Sequence, residues 1–264
     1  MEFTVASRAQ TILNTLQEQG AVQVLDLATE LDVSAVTIRK DLKALEQRGL
    51  LRRTRGGAEP RLRTGEGPFT DRLRVDSAAK RAIAAEAATR VEDGDVIALD
   101  TSTTTYHLAQ HLLRRRGLVV VTSSLRTALL FHEHSDASIV MPGGVVRRES
   151  GGMVGSVGDA LSGRGRITKA FLGAVGVSAT GGLLELAIEE SEAKRQLVDA
   201  SDAIIAVFAS TKIPGFGLHT FARPDQVSEI ITDAAATPQF AADWNRLEVP
   251  VTRVGLSSAV TQAG

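Results

Sequence analysis

The sequence predicts an α/β protein of two unequal parts: an N-terminal winged helix-turn-helix domain, followed by a larger, mostly parallel α/β domain. Two observations support this prediction. Apolar residues recur at helical spacing within a basic stretch near the N-terminus, and short β-rich apolar runs alternate with helices from residue 77 onward. We therefore expect the first domain over 1–57, a linker over 58–76, and the second domain over 77–264.

The composition limits the kinds of functional site that the protein can contain. The 264 residues are 43% hydrophobic and 23% charged, which is enough for a packed core. Cysteine is absent, which excludes disulfides, thiol catalysis and cysteine-ligated metals. The histidine pairs lack a metal-binding context and no nucleotide-binding glycine motif occurs, so we expect no metal and no cofactor. No apolar run approaches a membrane span and no signal-peptide pattern is seen, so we expect a cytoplasmic protein without a membrane partner.

The first domain is expected to open with three helices. One over 8–19 ends at Gly20. A second, over 24–31, is expected to turn inward the side chains of Leu25, Ala28 and Leu31. A tight turn at 32–33 leads into a third helix, which begins at Ser34. Helix, short helix, tight turn and helix is the order of a helix-turn-helix unit.

The third helix, over 34–45, has an apolar stripe on one side and a basic, hydroxyl-bearing surface on the other. The stripe is formed by Ile38, Leu42 and Leu45, which recur at helical spacing. Such a helix suits the major groove of DNA, which admits one helix between walls of phosphate. The candidate DNA contacts on it are Ser34, Val36, Thr37, Arg39, Lys40 and Lys43.

A basic hairpin is expected next. Residues 50–57 mix apolar and basic positions and close on two glycines, which is typical of a wing whose arginines reach phosphates or the minor groove. The stretch 34–63 has nine basic and three acidic residues, a charge of +6, although the whole chain has a net charge of −1. A solvated charged surface is the alternative, but the coincidence with the helix pattern favours nucleic acid.

The second domain shows the alternation expected of a parallel sheet covered on both faces. We predict helices over 79–90, 105–115, 125–132 and 189–200. We predict strands over 96–99, 118–121, 139–141, 170–173, 203–208 and 227–232. The part of the chain after residue 237 has little pattern of helix or strand.

Ligands of open parallel sheets bind at the carboxyl ends of the strands, so the turns there are the candidate ligand site. The turn after the strand 96–99 supplies Asp100, Ser102, Thr103, Thr104 and Thr105. Its hydroxyls, together with the N–H groups of a helix N-terminus, suit a phosphate, and the Asp100 carboxylate suits a sugar hydroxyl. An ordinary capping turn is the alternative, since Ser and Thr are common caps.

Other strand ends add candidates to the same edge: Ser123, Gly143, Gly144, Gly176 and Lys212. The serine opens the next helix, the glycines would let the backbone approach a ligand, and the lysine brings a cation. Tight turns and an exposed surface lysine are the alternatives.

These motifs resemble the DeoR family of bacterial transcriptional regulators. In the first domain the similarity lies in Ser34, Thr37-Ile38-Arg39-Lys40-Asp41-Leu42, Leu45-Glu46, Gly49-Leu50-Leu51, Arg53 and Gly56-Gly57-Ala58. In the second it includes Leu99-Asp100, Thr103-Thr104, Gly143-Gly144, Phe171-Leu172-Gly173-Ala174, Gly176, Glu192-Ala193-Lys194-Arg195, Ser210-Thr211-Lys212 and Ile231-Thr232-Asp233. The resemblance covers about residues 8–233.

The resemblance implies that the helix from Ser34 lies in the major groove, with Arg53 and Arg55 on the wing. It also implies a second domain similar in fold to ribose-5-phosphate isomerase and coenzyme A transferases, which binds a phosphorylated sugar as effector. Lys40 stands where the family usually has arginine, so it keeps the charge but loses bidentate recognition of guanine.

Three further departures concern the second domain. Ser102, Ser123 and Ala209 stand where the family usually has glycine, asparagine and aspartate. Because the last two changes remove polar partners for a sugar, we expect an unusual effector or weaker effector binding.

We expect a regulator that binds operator DNA and represses genes of carbohydrate metabolism until a phosphorylated sugar releases it. A homodimer or homotetramer is expected because one short helix reads too few bases, and enzymatic activity is not expected. Two alternatives stay open. A sugar-phosphate isomerase or transferase would use Asp100 and Glu192 as acid and base, with Lys212 as anion partner. A ligand-independent DNA-binding protein would use its second domain only to form oligomers.

Overall fold

The protein is described by a computed structural model over residues 5–47, 51–60, 67–155, 166–213, 215 and 217–256. The predicted helix stop at Gly49 and the part of the predicted linker over 61–66 lie outside the described residues.

The N-terminal domain has the predicted winged helix-turn-helix fold. Its described helices are α1 (Val5–Gln19), α2 (Val24–Glu30) and α3 (Ala35–Gln47). Its strands are β1 (Val22–Gln23), β2 (Leu51–Thr54) and β3 (Gly57–Pro60), which form an antiparallel sheet in the order β1-β3-β2. The wing, formed by β2 and β3, therefore extends three residues beyond position 57.

Apolar side chains from all three helices and the sheet form the core of this domain. The stripe predicted on α3 is buried as expected. The prediction for α2 was wrong at Leu25, which is 69% exposed. Leu31 and Ala28 pack inward as predicted, and Val24 and Leu27 take the place of Leu25, because the helix begins directly after β1 and its first residue already packs into the core.

A buried ion pair joins the first helix to the third. The guanidinium of Arg8 on α1 holds the Asp41 carboxylate on α3 through two hydrogen bonds, Nε to Oδ2 at 2.6 Å and Nη2 to Oδ1 at 3.1 Å. The hydrogen bond to Asp41 raises the pKa of Arg8 and outweighs the opposing effect of burial. The inner side of α3 is thus fixed both by apolar packing and by this bidentate pair.

The second domain contains the remaining described elements. Its helices are α4 (Phe69–Arg74), α5 (Ser77–Ala88), α6 (Thr103–Leu112), α7 (Leu125–His134), α8 (Ile188–Asp199) and α9 (Pro238–Asn245). Its strands are β4 (Val96–Leu99), β5 (Val119–Thr122), β6 (Ser138–Val140), β7 (Val145–Arg147), β8 (Gly152–Val154), β9 (Ile167–Leu172), β10 (Gly176–Ser178), β11 (Gly182–Glu185), β12 (Ser201–Val207), β13 (His219–Ala222), β14 (Glu229–Asp233) and β15 (Val251–Val254). Short 3₁₀ turns lie at Ser210–Lys212 and Pro224–Gln226.

A seven-stranded parallel sheet organises this domain, in the order β15-β14-β12-β9-β4-β5-β6. Successive residues of each strand face opposite sides, so Ile97 and Leu99 enter one core and Ala98 enters the other. Helices α5, α6 and α7 cover the first face. Helices α8 and α9, with a small antiparallel sheet of β10, β11 and β13, cover the second.

Several elements escaped sequence-based prediction. The part after residue 237 folds into α9 and the edge strand β15, and the predicted linker contains α4. The hairpin β7–β8 and the antiparallel sheet were also missed, because none of their strands has the continuous run of four apolar residues that marked the predicted strands at 96–99 and 118–121. For α9 a signal existed: Thr237 caps the helix by accepting a hydrogen bond from Phe240 N at 3.2 Å, and proline follows it.

None of the helices in the described part of the chain combines the length and the apolar character needed to cross a membrane.

The buried ion pair gives a first prediction. Asp41→Asn removes the charge that Arg8 binds, so α1 and α3 should lose about 1–3 kcal/mol of local stability. Hydrogen exchange of the backbone amides of the two helices measures this loss. The matched control is Glu59→Gln, which disrupts the more exposed pair with Arg52 on the wing and should cost less than about 1 kcal/mol. Equal losses for the two variants would contradict the structural role assigned to Asp41.

Candidate functional site

The outer side of α3 is a basic surface. Arg39, Lys40 and Lys43 are exposed, and within the described residues none of their three side chains has an ion-pair or hydrogen-bond partner. Val36 lies on the same side and is 58% exposed. An exposed valine among free cations is suited to contact with an apolar group, such as a thymine methyl, between phosphates.

Ser34 has a structural task at the start of this helix. Its Oγ accepts a hydrogen bond from Thr37 N at 3.1 Å and lies 2.9 Å from Thr37 Oγ1. Both residues therefore form an N-cap that fixes the first turn of α3, the turn that enters the groove first in a helix-turn-helix protein.

The wing is attached to α3 through Arg53. Its backbone N and its Nε donate to the Glu46 carboxylate at 2.9 and 3.0 Å. Sequence reasoning placed Arg53 among the DNA contacts and missed this partner. Arg55, in the turn between β2 and β3, is exposed and has no partner in the described part of the chain.

A cavity of about 580 Å³ opens at the carboxyl edge of the parallel sheet, where ligands bind in such folds. Its walls come from the turn after β4, the end of β9, helix α8, the end of β12 with the 3₁₀ turn that follows, and the segment around α4. The polar side chains in these walls are Asp71, Arg72, Asp76, Lys80, Thr101, Ser102, Thr103, Thr104, Glu185, Glu190, Lys194, Thr211 and Lys212.

Asp100 lies beneath this cavity and is absent from its wall, being only 1% exposed. Its Oδ1 accepts from Ser102 N at 2.9 Å and Thr105 Oγ1 at 2.8 Å, and its Oδ2 accepts from Gly173 N at 2.8 Å. Asp100 therefore holds two loops together and has little capacity left for a ligand. Thr105 is fully buried against it and is likewise outside the cavity wall.

Lys194 of α8 completes the floor. Its Nζ lies 3.0 Å from Asp100 Oδ2, donates to Gly173 O at 2.7 Å, and also binds the Glu185 carboxylate. Burial raises the pKa of Asp100, but attraction to Lys194 and the hydrogen bond from Ser102 outweigh it, so the net pKa is lowered and the carboxylate stays charged. Lys194 belongs to one of the motifs that carry the family resemblance, but nothing in the sequence indicated its contact with Asp100.

The N-terminus of α6 forms one wall. Ser102 caps the helix by accepting from Thr105 N at 3.2 Å. Thr103 and Thr104 each line the cavity and are 4% exposed. A side chain at position 173 would place its Cβ 2.5 Å from Ser102 Cβ, so Gly173 lets this turn pack closely against β9. The first N–H groups of a helix lack partners within it, and here they border the cavity.

Lys212 brings a cation to the opposite wall. Its 3₁₀ turn is fixed by Asp233, whose carboxylate accepts from Ser210 N at 2.6 Å and Ser210 Oγ at 2.8 Å. Lys212 is half-buried and lines the cavity, and its ammonium group has no hydrogen-bond or ion-pair partner among the described residues. The neighbouring Ala209 also lines the cavity, so the wall is apolar where the family usually has an acid.

Besides Asp100 and Thr105, four of the candidate residues lie outside this cavity. Ser123 and Gly143 border a separate small crevice beside the hairpin β7–β8. Gly144 has φ +121°, and a Cβ there would lie 2.5 Å from Val154 O, so it serves the close packing of the hairpin. Gly176 is a paired residue of β10. None of these four residues is among those that line the cavity at α4, α6 and α8.

The acid and base of the enzymatic alternative are not brought together. Glu192 is exposed on α8 and does not border the cavity, while Asp100 is buried beneath it. Glu185 and Glu190 are the buried acids that do border it, and neither was among the sequence-based candidates.

Comparison with known proteins covers both domains. The model of the DeoR-like helix-turn-helix domain matches residues 8–61, and that of the DeoR C-terminal sensor domain matches residues 75–234. Among solved structures, ribose 5-phosphate isomerase from Plasmodium falciparum is similar with 16% identity and a TM-score of 0.40, over 52% of this chain and 53% of that one.

Relatives align over most of their length. The HTH-type transcriptional regulator GolR of Listeria innocua is 33% identical over 229 residues, which is 86% of this chain and 89% of that protein. The glycerol-3-phosphate regulon repressor of Escherichia coli is 28% identical over 227 residues, 86% of this chain and 90% of the repressor. Because the sensor-domain match spans more than half of the chain and GolR is this similar over most of it, the chain belongs to the DeoR family of DNA-binding transcriptional regulators.

Proposed function

We propose that this protein is a repressor whose affinity for its operator is lowered when a phosphorylated sugar binds in the 580 Å³ cavity. The observation that carries the proposal is the placement of an anion-binding helix N-terminus and the unpartnered cation Lys212 in the walls of one cavity at the carboxyl edge of the sheet.

The walls suit the two halves of such a ligand. The phosphate would accept hydrogen bonds from the first turn of α6, with the hydroxyls of Thr103 and Thr104, and would pair with Lys212. The hydroxyls of the sugar would donate to the carboxylates of Glu185 and Glu190. The E. coli relative named for the glycerol-3-phosphate regulon supports a small phosphorylated polyol or sugar.

The DNA-binding surface follows from the exposed side of α3. The helix would enter the major groove with Arg39 toward the bases and with Lys40 and Lys43 toward the phosphates, while Arg55 of the wing contacts the backbone beside it. We infer a homodimer or homotetramer in the cytoplasm, because paired half-sites supply the sequence information that one short helix lacks.

Regulation would follow from linkage. If effector and operator favour different arrangements of the two domains, each weakens binding of the other by the same factor. An isomerase or transferase activity is disfavoured because Asp100 is saturated with internal contacts and Glu192 lies outside the cavity. Turnover of a pentose or hexose phosphate by the purified protein would reverse this conclusion.

The proposal for α3 can be tested with Arg39→Ala. Loss of a base contact should weaken binding to the preferred sequence by about 1–3 kcal/mol and broaden the preference at one position. Fluorescence anisotropy on DNA from upstream of the gene, at one fixed salt concentration, measures both effects. Lys43→Ala is the control and should weaken all sequences alike. An equally uniform loss for Arg39→Ala would reduce its role to a phosphate contact.

The cavity is tested by titrating sugar phosphates into the protein–DNA complex. One compound should release the DNA, and Lys212→Ala should raise the concentration required by about tenfold or more, since a charged hydrogen bond contributes about 1.5–3 kcal/mol. Thr104→Ala should act in the same direction. Arg114→Ala, exposed just beyond the C-terminal end of α6, should leave the response unchanged. If no compound affects a specific complex, the ligand-independent alternative gains support instead.

A further inference from the structure

One wall of the cavity lies outside both regions of the chain that match the models of the DeoR family domains. The helix-turn-helix match ends at residue 61 and the sensor-domain match begins at residue 75, and α4 lies between them. Gly67, Pro68, Asp71 and Arg72 of this segment nevertheless line the cavity. The connection between the domains is therefore part of the site. The inference below rests on the proposed function, because it concerns the ligand of the same cavity.

The first residue of α4 anchors it to the helix that carries the proposed phosphate site. Phe69 is buried, and its ring meets Tyr106 of α6 edge-on at a centroid distance of 5.4 Å. The guanidinium of Arg126 on α7 lies 4.8 Å from the centre of the same ring. An aromatic contact and a cation–π contact thus fix the N-terminal end of α4.

The other end of α4 is joined to the turn that carries Lys212. Lys80 Nζ donates to Arg72 O at 2.5 Å and to Val75 O at 2.7 Å. Thr211 Oγ1 donates to Asp76 Oδ2 at 2.7 Å. Asp76 has φ +53°, a left-handed conformation that a non-glycine residue keeps only where its surroundings hold it. Movement at Lys212 would therefore act directly on the end of α4.

The cations of the cavity wall differ in what their side chains contact. Lys80 holds backbone carbonyls and Lys194 holds Asp100 and Glu185, so both ammonium groups serve the protein's own structure. Lys212 faces the cavity from the 3₁₀ turn. Arg72 borders it from α4, where its guanidinium lies over the Phe69 ring, 5.6 Å from the ring centre. A guanidinium presents two parallel donors, which match the oxygens of a phosphate.

We propose that α4 is a ligand-binding strap: the phosphate bound by α6 and Lys212 also contacts Arg72, and α4 carries the state of the cavity to the DNA-binding domain. Six residues separate Pro60 of the wing from Gly67 of the cavity wall. At about 3.5 Å per residue at most, the seven steps from Pro60 to Gly67 span no more than about 25 Å, so the wing is tethered to the end of the cavity wall that α4 forms.

Arg72→Met tests the ligand contact in the full-length protein. It keeps most of the side-chain bulk against Phe69 but removes the charge. Calorimetric titration with glycerol 3-phosphate, ribose 5-phosphate and fructose 6-phosphate should show at least a tenfold rise in Kd for the compound that binds the unmodified protein. Arg74→Met, exposed on the same helix and outside the cavity, should change Kd less than twofold. Arg72→Lys should fall between them, because it keeps a cation but loses the two-donor geometry.

The second measurement needs no effector. Because the chain has no cysteine, Asp71→Cys introduces a single thiol on the cavity side of α4, and Thr70→Cys places one on the exposed side. Saturation with DNA from upstream of the gene should change the alkylation rate by iodoacetamide at position 71 by at least threefold and leave position 70 unchanged.

The outcomes separate the two proposals. A compound that binds equally well to the Arg72→Met and Arg74→Met proteins would overturn the strap and leave the cavity assignment intact. If none of the three compounds binds the unmodified protein, the choice of effector class fails, and the alkylation rates decide the strap alone. A DNA-dependent rate at position 71 supports it, and an unchanged rate on bound DNA overturns it.

Discussion

The buried pair of Asp100 and Lys194 is the constraint on which the second domain depends. A charge removed from water is tolerated only when it is paired and hydrogen-bonded, and Asp100 meets both conditions through Lys194 and three donors from two loops. Those contacts come from β4, the turn after it, the end of β9 and α8. One carboxylate thus sets how close three separate segments lie, and the floor of the cavity is the surface they make together.

The charged groups at this edge of the sheet consequently have roles other than the ligand binding that their positions suggest. Asp100 and Lys194 are structural, while the walls above them carry the chemistry available to a ligand: helix N–H groups, hydroxyls, two carboxylates and Lys212. Gly173 makes the arrangement possible by letting the turn at Ser102 approach β9 more closely than any side chain would allow. A polar cavity results that is open to a small anion and has a rigid base.

The sequence was sufficient where a period or a motif extends over many residues. It predicted α3 with its buried stripe, the alternation that builds the parallel sheet, and the threonines that line the cavity at α6. It could not show contacts between residues far apart in the chain, such as Arg53 with Glu46 or Lys194 with Asp100, because neither spacing nor composition encodes them. It also missed α4, where six residues are too few for an amphipathic pattern. The expectation that all strand ends meet at one edge grouped Ser123 and Gly143 with this cavity, but both border a separate crevice beside the hairpin β7–β8.

The two sides of α3 differ in their contacts. The inner side is fixed by the apolar core and by the pair of Arg8 with Asp41, and the outer side carries exposed residues without internal partners. Substitutions of Val36, Arg39 or Lys40 should therefore leave the free energy of unfolding nearly unchanged, whereas Ser34 caps the helix. If the outer side reads the operator, as proposed above, a gene duplicate of such a protein acquires a new operator by changing Val36, Arg39 or Lys40 while the fold stays the same. This separation of stability from recognition allows one scaffold to diversify into many regulators that do not interfere with one another in the same cell.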